Sequence, residues 1–245
     1  MKKIVQVFYT IYAWIINILL WSIGYFISIV FTVGIKDKEG KYNSIERAFT
    51  KITFKLIGIN IDIQGLENIP DKEPVIFVSN HQSFIDIKLS IAAIPRNFSF
   101  ISKDIIFKIP LLGKYMKTSG HIGIRRNSER NAYATLNEVV KKLDSGKSIV
   151  FFPEGTRSAN GKLGEFRRGV STVILRSGRK VVPTAIIGSR GFMPKSSFLS
   201  NPENRNIRFK FGKPLEFPKV EKENKEQSKD VIEKIRSEVS KLLYN

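Results

Sequence analysis

Hydrophobic residues fall along this chain in three rhythms. From Ile4 to Ile35 they run almost unbroken, with no charged residue and no proline. Lys2 and Lys3 precede the run, and Lys36, Lys38 and Lys41 follow it. As one straight helix the run would be about 48 Å long, against a bilayer hydrocarbon core of about 30 Å. It is longer than the apolar core of a secretory signal, and Ala13, its only alanine, offers no small-residue cleavage site. The pattern predicts a retained membrane anchor. It either spans with tilt or breaks near Gly24 and enters one leaflet. Lysines at both ends leave its orientation open.

In the second rhythm, Ile45, Ala48, Phe49, Ile52, Leu56 and Ile57 recur at helical spacing within 43–57. Asn43 can cap such a helix, with Glu46 completing a capping box. Arg47, Lys51 and Lys55 lie on its other faces. A basic amphipathic helix beside an apolar run suits the membrane interface; packing on the rest of the chain is the alternative. The favoured reading is monotopic, with the first helix immersed and the second along the interface. A single span is the other.

The third rhythm alternates short Val-, Ile- and Phe-rich runs with helical patterns. Strands are expected at 59–64, 75–79, 98–102, 121–125, 148–152, 181–187 and 206–211. Helices are expected at 84–93, capped by Ser83, at 128–144, capped by Ser128, at 169–177, ending at Gly178, and at 228–243. The segment 219–229 reads as a charged, solvated linker. The alternation predicts an α/β fold over 59–245, with a mainly parallel or mixed central sheet flanked by helices. The membrane-anchoring helices occupy 1–58.

Charge alone leaves several partners open. Lys and Arg number 41 against 22 Asp and Glu, for a formal charge of +19. That balance fits nucleic acid, an anionic membrane or an acidic partner. The long apolar run decides for the membrane, and no nucleic-acid motif is present. With 2 histidines and no cysteine, the chain offers no ligand cluster at metal spacing and no disulfide.

Two strings carry the candidate chemistry. Asn80-His-Gln-Ser-Phe-Ile-Asp86 follows the apolar run 74–78, and Phe152-Pro-Glu-Gly-Thr-Arg-Ser158 follows another. A neutral imidazole is a general base near neutral pH, and a carboxylate can fix its tautomer. Asp86 can serve His81 in this way. On an ideal helix a five-residue step turns about 140°, so His81 must lie before the helix begins. No G-x-S-x-G string is present, and there is no cysteine. The nucleophile then falls to a substrate hydroxyl, which means direct group transfer with no covalent enzyme intermediate. In the second string Gly155 permits a tight turn, and Arg157 offers two donors to a phosphate. Thr156 adds a donor. Glu154 either meets a substrate hydroxyl or pairs with Arg157.

With these motifs the chain resembles the glycerolipid acyltransferases, most of all the 1-acylglycerol-3-phosphate acyltransferases. Asn80, His81 and Asp86 match the family's N-H-x-x-x-x-D, and Phe152 to Ser158 match its F-P-E-G-T-R-S without a gap. Gly120, Ile122, Ile124 and Arg126 match its G-x-I-x-I-x-R, though Arg125 stands where an acidic residue is common. Val182-Pro183 matches its late apolar strand. The resemblance covers about Ile59 to Leu215.

It implies that His81 deprotonates the free hydroxyl of lysophosphatidic acid, which attacks an acyl thioester, and that Asp86 orients His81. Lys103, Arg126, Glu154, Thr156 and Arg157 would hold the glycerol phosphate, with Gly155 shaping the turn. Acyl-CoA or acyl carrier protein would be the co-substrate, with no further cofactor and no metal. The product would be phosphatidic acid, made at the cytoplasmic face of the cell membrane among its phospholipids. Glycerol-3-phosphate or another lysolipid as acceptor is an alternative, as is a non-catalytic lipid-binding protein. His121 reads as pocket lining or surface. The apolar 107–112 segment reads as an acyl-groove lining, core or membrane-facing loop.

Overall fold

The computed structural model describes residues 2–124 and 129–245. Helix α1 (Lys2–Phe31) and helix α2 (Lys38–Leu56) form an antiparallel hairpin at the start. The Tyr9 hydroxyl donates to the Ile57 carbonyl at 2.7 Å, and at the other end Tyr25 meets the Tyr42 ring. Gly24 permits the close approach, since a Cβ there would stand 3.0 Å from the Phe49 ring. Only one face of α1 is covered, by way of Thr10, Ala13, Gly24, Tyr25 and Ser28. Phe8, Ile15, Ile18 and Phe26 are among the apolar side chains left exposed.

Helix α2 begins five residues before the expected start. Asp37 caps it, accepting from the Gly40 N–H at 3.2 Å. Asn43 is a buried tie within the helix, donating to the Ser119 carbonyl and accepting from the Phe98 N–H. The apolar face expected for this helix also divides. Ile57 is buried with Tyr42, Thr53 and Phe54, while Ile52 and Leu56 face outward.

The remaining elements alternate as the pattern predicts, with two further short helices, Leu112–Thr118 and Ser189–Phe192, that it does not mark. They are β1 (Asn60–Gln64), β2 (Ile76–Ser79), α3 (Asp86–Ala93), β3 (Phe98–Lys103), α4 (Leu112–Thr118), β4 (Ile122–Ile124), α5 (Glu129–Asp144), β5 (Ser148–Phe151), α6 (Gly169–Ser177), β6 (Val181–Ile187), α7 (Ser189–Phe192), β7 (Asn206–Phe211) and α8 (Lys225–Tyr244). Helix α8 starts earlier than expected because Asn224 and Gln227 form a capping box. The end of the expected linker is therefore helical. The Ser128 cap lies outside the described residues.

Among the described residues seven strands form one mixed sheet, in the order β1-β7-β6-β2-β5-β3-β4. β6, β2, β5, β3 and β4 are mutually parallel, and β7 runs antiparallel to β6. Both faces are covered. Val75 and Phe77 point to a core shared with α1, α2 and α3, while Ile76 and Val78 point to one shared with α5, α6 and α8. Alternation along one strand thus feeds two cores, which is why β2 reads as an unbroken apolar run. The five parallel strands bring their C-terminal ends to one edge, where open α/β sheets place ligand sites.

Candidate active site

Four turns meet at that edge. His81 follows β2 and Glu154 follows β5, while Lys103 ends β3 opposite Ile124 of β4. Arg126, just beyond β4, lies outside the described residues.

Asp86 organises the first turn. It is fully buried. Its Oδ2 accepts from His81 Nδ1 at 2.9 Å and from the backbone N–H groups of Gln82 and Ser83, each at 2.7 Å. A carboxylate only accepts, so the His81 proton sits on Nδ1 and Nε2 presents its lone pair. The expected Ser83 cap gives way to this arrangement. Ser83 instead donates from Oγ to the Met193 carbonyl at 2.6 Å, and α3 begins at Asp86. The loop is also pinned from below. Asn80 pairs both ends of its amide with the backbone of Ile186, at 2.9 and 2.8 Å.

The second turn is fastened to the first. Ser158 N–H donates to the His81 carbonyl at 2.7 Å, and Gln82 Nε2 donates to the Gly161 carbonyl at 2.8 Å. Gly155 has φ of 68°, a left-handed turn that suits glycine. Glu154 faces inward. Its Oε1 accepts from the His81 N–H at 2.8 Å and its Oε2 from the Gly164 N–H at 3.0 Å. Burial pushes its carboxyl above the ordinary value, against the pull of those two donors. Both oxygens are committed to backbone, so Glu154 acts on the site by fixing where His81 sits. No ion pair joins it to Arg157 among the described residues.

Arg157 stands at the rim. Its guanidinium lies 6.0 Å from the centre of the exposed Phe84 ring. Thr156 is exposed beside it and accepts from Lys195 Nζ at 3.3 Å. Lys195 adds a cation that no motif marks. Lys103 is exposed at the neighbouring strand end. His81, Asp86, Glu154 and Gly155 are thus in one bonded unit, with Thr156, Arg157 and Lys103 around its opening.

Aromatic rings complete the floor. His81 stacks on Phe152 at 4.3 Å, Phe152 on Phe100 at 6.2 Å, and Phe100 meets His121 at 5.4 Å. His121 is not on the surface. It is buried, its Nδ1 accepts from the Phe100 N–H at 3.2 Å, and burial with nearby Lys142 lowers its pKa to about 4.

Comparison with known proteins identifies the family. Residues 60–187, just over half of the chain, match the family model described as Acyltransferase. Over 138 residues the chain is 42% identical to a chloroplast 1-acyl-sn-glycerol-3-phosphate acyltransferase of Arabidopsis thaliana, covering 56% of this chain and 38% of that one. It is 31% identical over 172 residues to a protein of the same description from Helicobacter pylori, covering 70% of each. Among solved structures, the 1-acyl-sn-glycerophosphate acyltransferase of Thermotoga maritima superposes with a TM-score of 0.79 at 26% identity, over 99% of this chain and 98% of that one. The chain spans about two-fifths of the length of the chloroplast relatives it matches.

Proposed function

Because this chain belongs to the acyltransferase family, we propose that it transfers an acyl group from a thioester to the free hydroxyl of lysophosphatidic acid, giving phosphatidic acid. The observation that carries the reading is the His81–Asp86 pair, with Nδ1 fixed by the carboxylate and Nε2 free of any hydrogen bond among the described residues. His81 Nε2 takes the proton from the acceptor hydroxyl as its oxygen attacks the thioester carbonyl carbon. A carbon–oxygen bond forms, the carbon–sulfur bond breaks, and the thiolate leaves with the proton that His81 held. Asp86 stabilises the imidazolium in between. The thioester is acyl-CoA or acyl carrier protein.

Arg157, Lys103 and Lys195 surround the opening with positive charge, and we assign the acceptor's phosphate to them together with Arg126. Arg157 supplies a planar fork suited to two phosphate oxygens. Thr156 contributes a hydroxyl. Gly155 sets the turn, and Glu154 holds the His81 backbone. The exposed apolar face of α1 and the outward Ile52 and Leu56 of α2 support attachment to one leaflet. An independent span fits less well. The Ser200 N–H bonds Thr10 of α1 at 2.9 Å, and Lys88 Nζ bonds Asn17 at 2.7 Å, so α1 lies along the α/β body.

The test is acyl transfer in mixed micelles, with lysophosphatidic acid and glycerol-3-phosphate as separate acceptors and acyl-CoA and acyl carrier protein thioesters as separate donors. Turnover with lysophosphatidic acid is expected. Turnover with glycerol-3-phosphate alone would reassign the acceptor. No turnover with any pair would sink the reading.

A further inference from the structure

Apolar side chains are also exposed on the loop after β3. Ile105 is 62% exposed, Ile109 48% and Leu111 64%. The loop leaves the sheet at Lys103, so it rises from the same edge as the His81 and Glu154 turns.

It is tightly built. Phe107 is turned inward over Gly123, where a Cβ would stand 3.1 Å from its ring. The Phe107 carbonyl approaches Gly113 so closely that a Cβ there would lie 2.1 Å from it. Leu112 and Gly113 N–H groups donate to the carbonyls of Pro110 and Ile109, each at 2.7 Å. Leu111 has φ of 62° and ψ of −55°, the strained centre of a tight γ-turn that leucine rarely adopts. Such strain persists only where the surroundings enforce it, and it gathers at functional segments. Here the enforced turn coincides with an apolar side chain held out in water. A hydrophobic loop with one ring packed inward and three aliphatic tips outward calls for a partner.

Two observations identify the partner as a lipid surface. The first is continuity with α1. Tyr115, on the helix just after the loop, meets Trp21 of α1 at 5.6 Å and Tyr25 at 5.5 Å. On the other flank the exposed Phe84 meets Trp14 of α1 at 6.2 Å. The outward face of α1 therefore has exposed apolar side chains on both sides of it, beside the site opening. The second is charge. Lys103, Lys108, Lys114 and Lys117 are all exposed around the apolar tip. Ammonium groups ringing an apolar tip match anionic headgroups ringing an acyl layer.

We propose that the 104–112 loop is a second membrane-inserting element, seated in the same anionic bilayer as α1, so that the opening of the site is held at the lipid surface from two sides. This rests on the attachment of α1 to a membrane. The loop makes the opening, as well as the anchor, a lipid contact. An acceptor lipid then reaches Arg157 and His81 without leaving the bilayer surface.

The chain has no cysteine, so single introduced cysteines can carry an environment-sensitive fluorophore without background. Ile105→Cys and Leu111→Cys probe the loop, Ile15→Cys the exposed face of α1, and Glu226→Cys the far helix α8. Circular dichroism confirms that each labelled full-length protein is folded. Each is bound to phosphatidylcholine–phosphatidylglycerol vesicles carrying a nitroxide on the acyl chain, with iodide as the aqueous quencher. The expected result is a blue shift, strong nitroxide quenching and loss of iodide quenching at Ile105, Leu111 and Ile15, with none of these at Glu226. Lipid contact at Ile15 with Ile105 and Leu111 still open to iodide overturns the loop proposal alone. Iodide access at Ile15 as well overturns the membrane reading beneath it. Nitroxide quenching at all four positions means unspecific adsorption and overturns the proposal too.

Discussion

The two histidines stand at opposite ends of one row of rings, His81-Phe152-Phe100-His121, and they are wired in opposite senses. At the β2 end, His81 Nδ1 donates to a buried carboxylate, which turns the Nε2 lone pair toward the opening. At the β4 end, His121 Nδ1 accepts from a backbone N–H, and the ring is buried and neutral. Both touch phenylalanine. What separates them is the partner of Nδ1 and the access of water. Imidazole becomes a base or a structural peg according to those two conditions, and a lone histidine in a sequence shows neither.

The largest effect should come from breaking the wiring at His81. Asp86→Asn can place its one carbonyl oxygen where Oδ2 sits and keep all three donors, while the negative charge goes. We expect kcat for acyl transfer to fall on the order of 10²–10⁴-fold, approaching the His81→Ala floor. Oδ1 of Asp86 is buried with no hydrogen-bond partner, so the new NH2 group there should also cost about 1–3 kcal/mol of stability. Steady-state kinetics and urea unfolding on the same variant separate the two. Unchanged kcat would show that the Asp86 charge does not activate His81.

Next in size is the pH response of His121. Its folded pKa is lowered to about 4 from 6.5. A group whose folded pKa is depressed contributes stability that is present above the unfolded pKa and lost as pH falls through the folded one. The window is therefore pH 6.5 down to about 4, and the loss is on the order of 3 kcal/mol. His121→Asn keeps an acceptor for the Phe100 N–H and does not titrate. Urea unfolding of both proteins across that window should show wild type losing the larger amount. Parallel curves would mean that His121 titrates normally.

Glu154→Gln should come third. Both oxygens of Glu154 accept backbone N–H groups, and glutamine can accept only one of them while turning a donor toward the other. We expect about 1–3 kcal/mol of destabilisation and a fall in kcat, since the lost bond can be the one that holds His81. Urea unfolding checks the first, and kinetics with KM little changed checks the second. A rise in KM with kcat intact would mean that Glu154 meets the acceptor directly.

These partners also mark how far the sequence could be read. The parallel strands were legible to within a residue or two, because strands covered on both faces are continuous apolar runs. Strand order was not, since β7 returning beside β1 leaves no trace in either segment. His81, Asp86 and Gly155 were legible as positions because base chemistry and a tight turn need rare residue types at short spacing. The partners of Glu154 were not. Backbone N–H groups carry no residue signature, and those of His81 and Gly164 lie 73 and 10 residues away. The Asn80–Ile186 pairing was hidden in the same way. Helix α2 was misplaced at its start because Asp37 and Asn43 are both good caps, and only the contacts of Asn43 with Ser119 and Phe98 decide between them. Lys195 reaches the opening across a distance no motif spans.

The smallest effect should come from the middle of the row. Phe152→Leu keeps the volume apolar and removes the ring between His81 and Phe100. An aromatic pair contributes about 0.5–1.5 kcal/mol beyond its buried area, so the cost in stability should be about 1 kcal/mol. The two ends should respond differently. His81 keeps Asp86 and the Glu154 bond to its backbone, so kcat should fall only a few-fold, through looser aim of Nε2. His121 keeps Phe100 and its backbone donor, so its response to pH should not move. A collapse of kcat comparable with His81→Ala would mean that Phe152, rather than Asp86, sets the orientation of the base. A shift in the His121 window would mean that the two histidines are coupled through the rings, and the contrast between their wirings would no longer account for their separate behaviour.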